Sequence, residues 1–128
     1  MTRTASVELR ASGVTVVRID PQAIQTKDDA RDNIAAAVEA GRPWRRPVMV
    51  DIRGCNPLEA DVRHCYAGDI LENSFVALCM LLDISPLGQT MGNLYLRVAK
   101  PKIPTRLCYE EKAAFEWLVG FTSERLQL

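Results

Sequence analysis

The stretch Pro47–Gly54, Pro-Val-Met-Val-Asp-Ile-Arg-Gly, constrains the fold more than any other part of the chain. Val48, Val50 and Ile52 alternate with Met49 and Asp51, and a short β-branched run closed by Gly predicts a strand buried on both faces. Such strands belong to parallel sheets covered by helices. Phe75–Asp83 is a second strand of this kind, nine residues with no charge until the final Asp.

The remaining segments supply the partners. Val7 and Leu9, then Val14, Val16 or Val17 and Ile19, flank Ala11-Ser12-Gly13 as a β-hairpin. Thr26 is an N-cap for a helix with Asp28 and Asp29 in its first turn, a buried face of Ala30, Ile34, Ala37 and Val38, and a stop at Gly41. Pro57 opens a second helix running to about Leu71, with Leu58, Val62, Cys65 and Tyr66 at helical spacing. Ser85-Pro86 starts a third, whose stripe is Leu87, Met91, Leu94, Tyr95 and Val98 and which ends in Arg97 and Lys100. Thr105–Tyr109 reads as a last short strand. Glu110-Glu111 begins a final helix with the face Ala114, Trp117, Leu118 and Phe121, and residues 122–128 read as a tail. The order ββαβαβαβα predicts an α/β fold: a mixed, mainly parallel five-stranded sheet with an antiparallel N-terminal hairpin at its edge and four helices over its faces.

Bulk properties set limits on function. At 128 residues, without a repeat or linker, the chain reads as one domain with a core over about residues 7–121. Sixteen Lys plus Arg balance sixteen Asp plus Glu, which argues against nucleic acid as a partner. No run has the apolar length of a signal peptide or a membrane span, so a cytoplasmic protein without membrane insertion is expected. Cys55, Cys65, Cys79 and Cys108 lack any Cys-x-x-Cys spacing and read as free thiols, with no metal.

The element order resembles that of STAS domains, the fold of anti-sigma-factor antagonists, which is similar to the lipid-exchanging CRAL-TRIO fold in small form. Val-Asp-Ile-Arg-Gly at 50–54, Asp83-Ile-Ser-Pro-Leu-Gly88, Gly92-Asn-Leu-Tyr-Leu-Arg97, Lys100-Pro-Lys-Ile-Pro-Thr-Arg106 and Glu110–Leu118 resemble a bacterial group of small STAS-like proteins without assigned activity. The resemblance implies a module that binds a protein or small ligand without turnover, and the function expected is a non-catalytic interaction or regulatory module, without cofactor, that binds a protein partner and self-associates as a homodimer. A small-molecule or lipid carrier is the alternative it implies. One position departs: the phosphorylated antagonists carry a Ser after the strand matching Pro47–Gly54, and residues 55–61 contain no Ser or Thr. The phosphorylation switch is thus not expected here. Glu59 and Asp61 could mimic its charge, although acidic residues in a first helical turn are ordinary dipole partners.

Ligands of open α/β sheets bind beyond the carboxyl ends of the strands. Asp51, Arg53, Cys55, Asn56, Glu59, Asp83 and Ser85 fall there and are the candidate ligand- or partner-binding residues. Asp20, Asp51 and Asp83 together suggest a further alternative, a receiver-like Mg²⁺ site with Asp51 as phospho-acceptor. Against it, the last parallel strand ends in Cys108, Tyr109 and Glu110, without the Lys that receivers carry there. Cys55, in a loop near a helix N-terminus, is the thiol expected to react if any does. His64 and Cys65 project about 100° apart on a helix and cannot form a couple. The spacing Gly88-x-x-x-Gly92 lies in a helix and predicts close packing on the sheet or on another subunit, with Tyr95, Leu96 and Tyr109 as interface candidates.

Overall fold

Ala5–Leu9 (β1) and Thr15–Ile19 (β2) form the expected hairpin, with Val7 opposite Val17. In this computed structural model, which describes residues 1–67, 69–123 and 127–128 with the side chains of 98 and 99 excepted, three parallel strands follow. They are β3 (Arg46–Asp51), β4 (Phe75–Leu81) and β5 (Thr105–Cys108), and the strands lie in chain order across the sheet. β4 is buried at every position, as its lack of polar residues requires.

Among the described residues there are five helices: α1 (Lys27–Gly41), α2 (Ala60–Cys65), α3 (Asp69–Ser74), α4 (Pro86–Ala99) and α5 (Glu111–Val119). Strands added in one direction by crossovers of one hand place their helices on one face. Accordingly, Ala37 of α1, Leu71 of α3 and Tyr95 of α4 share a core with Val17, Ile19, Val48, Leu78 and Met80. Ala114 and Leu118 of α5 cover the opposite face with Val16, Met49, Cys79 and Leu81. Side chains alternate across a strand, so β3 and β4 serve both cores.

Local chemistry fixes the helix ends. The Thr26 hydroxyl accepts from Asp29 N at 3.2 Å while the Asp29 carboxylate accepts from Thr26 N at 2.8 Å, a reciprocal cap on α1. Ser85 Oγ accepts from Gly88 N at 3.0 Å at the start of α4, ahead of Pro86 at its first turn. Gly92 lets α4 lie on the sheet: a Cβ there would stand 2.7 Å from Leu82 Cδ1 and 3.0 Å from Leu107 Cδ1. Gly92 thus serves close packing on the sheet, whereas a Cβ on Gly88 would meet the Asp83 backbone ahead of α4.

Three expectations change. The helix anticipated from Pro57 to Leu71 is two short ones, and its position Gly68 lies outside the described residues. α2 starts late because residues 55–59 cross the sheet edge without helical geometry, and it stops where Tyr66 N and Ala67 N bond to Arg63 O and His64 O, three residues back. Residues 124–126 of the anticipated tail lie outside the description. Its end packs back: Gln127 bridges to Trp44, and Leu128 N donates to Pro43 O at 3.1 Å. Leu87 is exposed, not part of the buried stripe of α4, and the side chain of Val98 in that stripe lies outside the described residues. Among the described residues no helix is long and apolar enough to cross a membrane.

Candidate functional site

The chain reverses sharply after β3, and that reversal positions everything at this end of the sheet. Ile52 N donates to Leu81 O at 3.0 Å, prolonging the parallel pairing. Asp51 Oδ1 then accepts from Arg53 N at 3.1 Å, Gly54 adopts φ +75°, and Cys55 N closes a turn on Ile52 O. Gly54 N also donates to the Asp83 carboxylate, tying the turn to the end of β4. Asn56, Pro57 and Leu58 are thereby drawn over the sheet, and Arg63 Nη1 of α2 holds Leu58 O at 3.1 Å.

Beneath this segment lies a cavity of about 110 Å³. Its floor is Ile19, Val50, Ile52, Leu78 and Met80 from three strands; its roof is Met91, Leu94 and Tyr95 from α4; Cys55–Leu58 form its outer wall. Tyr95 Oη donates to Tyr66 O at 2.9 Å, fixing α4 to the end of α2. Polar groups are few and placed at the margins. Tyr66 Oη donates to Gln25 Oε1 and accepts from Asn33 Nδ2 at 3.0 Å, while Asn33, fully buried, also donates to Thr4 Oγ1 at 2.9 Å. Burial pushes the Tyr66 phenol up to about 12 despite the Asn33 hydrogen bond, so it stays a donor. Among the described residues Arg63 is the only charged side chain lining the cavity.

On the opposite face of the sheet, at the same strand ends, sits an ion network. Asp51 Oδ2 receives Arg18 Nη1 at 2.8 Å and Arg53 Nη2 at 2.8 Å, and Arg53 Nε reaches Oδ1 at 3.0 Å. Arg18 also binds Glu111 of α5, and Arg53 approaches Glu111 Oε2 at 3.6 Å. Burial pushes the Asp51 carboxyl up, but the side-chain and backbone hydrogen bonds from Arg53, its charge and Arg18 outweigh that, leaving it below the usual carboxylate range.

The sequence candidates separate accordingly. Asp51 and Arg53 belong to the ion network, whereas Cys55 and Asn56 line the cavity. Asp83 anchors the turn through Gly54 N, and Ser85 is the cap of α4. Glu59 is exposed at the start of α2 and makes no side-chain cap bond. Asp20 accepts from Gln22 N at 2.9 Å, as a turn residue does. Asp20, Asp51 and Asp83 do not form a ligand set: no group of three or more His, Cys, Asp or Glu able to hold a metal occurs among the described residues. Guanidinium groups, not a cation site, meet the charge of Asp51.

Two expectations for reactive or exposed groups are corrected. The Cys55 thiol is pushed up to about 11, first by burial and then by the charges of Asp51, Asp83 and Asp20, so no activation arises there. As expected, it lies in the loop ahead of α2, whose cap position is Glu59. Tyr95 is buried in the core as part of the cavity roof, and Leu96 and Tyr109 are half-buried against that core, so they do not form an exposed apolar edge. Gln25, Arg63 and Tyr66 were not anticipated as site residues. Tyr66 falls on the apolar stripe Val62–Tyr66, but no local pattern brings Gln25 of the β2–α1 loop beside it.

These features define an α/β domain with an apolar cavity at the carboxyl ends of its parallel strands. The chain belongs to DUF7793, a family described as a domain of unknown function, whose model matches residues 7–122. No curated protein and no solved structure matches the chain.

Proposed function

We propose that this domain is a binding module for a small, largely apolar molecule held between the sheet and the α2–α4 roof. The cavity carries this reading. Its lining is almost wholly apolar, and the space lies where ligands of open α/β sheets bind. Apolar cavities of ~150 Å³ take up benzene, so a body of a few carbons fits this one. The reading assigns no covalent step, because the thiol on the wall, Cys55, is held protonated.

Ligand-observed NMR with small hydrocarbons and alcohols tests the reading, with Leu94→Phe as the filled control. Saturable binding to the natural chain that Leu94→Phe abolishes is the expected result. Equal signals from both proteins would reject it.

A second reading is a STAS-like interaction module in the cytoplasm that self-associates and lacks the phosphoserine switch. Its support is the pair Ile84 and Leu87, 76% and 51% exposed at the entrance to α4. Native mass spectrometry of untagged protein reports subunit count and retained adduct together. A dimer that Leu87→Asp converts to a monomer favours this second role; a monomer carrying extra mass favours the first.

A further inference from the structure

The polarity of the cavity points to a particular class of ligand. Arg3 and Arg53 show how this chain uses the arginine edge formed by Nε and Nη2. Arg3 applies that edge to the Asp29 carboxylate, with Nε 2.9 Å from Oδ1. Arg53 applies it to the Asp51 carboxylate, at 3.0 Å and 2.8 Å. Two parallel N–H groups match two carboxylate oxygens, which is why this geometry recurs.

Arg63 differs. It spends Nη1 on Leu58 O, and its Nε is fully buried with no hydrogen-bond partner among the described residues. Buried donors are almost always satisfied, so an open one on a residue that lines the cavity marks a group in want of an acceptor. The field elsewhere agrees. Asp20, Asp51 and Asp83 act on Cys55, so an anionic head is disfavoured along that wall, and Arg63 is the charged group lining the space.

We infer that the cavity takes a small aliphatic monocarboxylate, its carboxylate on the Nε edge of Arg63 and its hydrocarbon body against Val50, Met80 and Leu94. This inference rests on the ligand-binding reading above. Nε is sealed from water, so binding requires the guanidinium to turn toward the cavity, the carboxylate filling the donor left open while Nη1 stays on Leu58 O.

Isovalerate and its neutral isostere isovaleramide separate the head group from the body, and 3-methyl-1-butanol serves as a second neutral probe. Titrations followed by methyl NMR should give isovalerate at least roughly tenfold tighter binding than either neutral compound. Arg63→Lys, which keeps the charge but not the paired donors, should remove most of that preference. Equal affinity for the three compounds would overturn the carboxylate inference and leave the cavity reading standing. Binding of none of them would overturn the inference, and if hydrocarbon uptake is also absent, the cavity reading falls with it. Undiminished preference in Arg63→Lys would remove Arg63 from the account. The probe series on the natural chain decides the first question even if the variant folds poorly.

Discussion

The two faces of the sheet draw on the same strands and end up differently filled. Under α5, Met49, Cys79, Leu81 and Leu118 are sealed, and the Cys79 and Cys108 thiols lie 2.8 Å apart. Under the three crossovers, the sheet meets helices from separate connections, and Ile19, Val50 and Met80 border open space. A single helix following the last strand can settle into the groove that fits it. Three crossovers, each tied at both ends to strands, leave a gap where the longest irregular connection, residues 52–59, crosses the sheet. Packing is close to crystalline in the first region and incomplete in the second, and the candidate function belongs to the second.

The same substitution should therefore cost different amounts on the two faces. Leu118→Ala, in a sealed site, should lower stability by about 3 kcal/mol in urea titrations. Leu94→Ala, beside space already empty, should cost about 1 kcal/mol because it forfeits partners on one side only. Equal losses would mean that the cavity is closed in solution. Gly92→Ala sits between these cases: the roof is tight where α4 meets Leu82 and Leu107, and the added methyl should cost about 2 kcal/mol.

Asp51→Asn removes the charge at the centre of the ion network and should cost about 1–2 kcal/mol, with the strand ends loosened on the α5 face and hydrocarbon uptake unchanged. The pH dependence has the same origin. Asp51 and Asp29 are both held below the usual 3.8 when folded, Asp29 first through its hydrogen bond from Arg3 and then through that from the Thr26 backbone. The unfolded chain thus binds protons first as pH falls. Their contribution is complete above about pH 5 and declines as acid carries the solution through the carboxylate range. Acid titration followed by circular dichroism should show the decline in the natural chain and a shallower one in Asp51→Asn. A stability that rises on acidification would contradict the ion-pair account.

The smallest effect concerns thiol chemistry. Burial raises the Cys79 thiol well above its ordinary value, and Cys55 stands near 11, so neither should react with iodoacetamide at neutral pH on the timescale of a free thiol. Rapid labelling of Cys55 would show the segment 55–58 opening freely.

The two central strands were legible because they carry no polar face: Val48–Val50 and Phe75–Leu81 have no other way to be buried. The caps Thr26 and Ser85 were legible because their chemistry is local. The second crossover was not, since Pro57 and the Leu58–Tyr66 spacing fit a helix start, whereas residues 55–59 stay irregular and α2 begins at Ala60. The strand-end rule led to Asp51, Cys55, Asn56 and Asp83, of which Cys55 and Asn56 line the cavity, Asp51 belongs to the network on the other face and Asp83 ties down the turn. Whether a side chain faces the cavity or the α5 network depends on strand parity relative to helices placed by topology. Arg63 and Gln25 escaped notice because only the folded chain brings them to one space.

Methyl-resolved NMR of the protein under xenon pressure tests the central claim most directly. Xenon enters dry apolar cavities of this size without needing a polar anchor. Shifts should saturate at Ile52, Leu78, Met80, Met91 and Leu94 and stay absent at Val16, Met49 and Leu118, on the filled face. Uniform small shifts across both sets, or none in the first, would contradict the account.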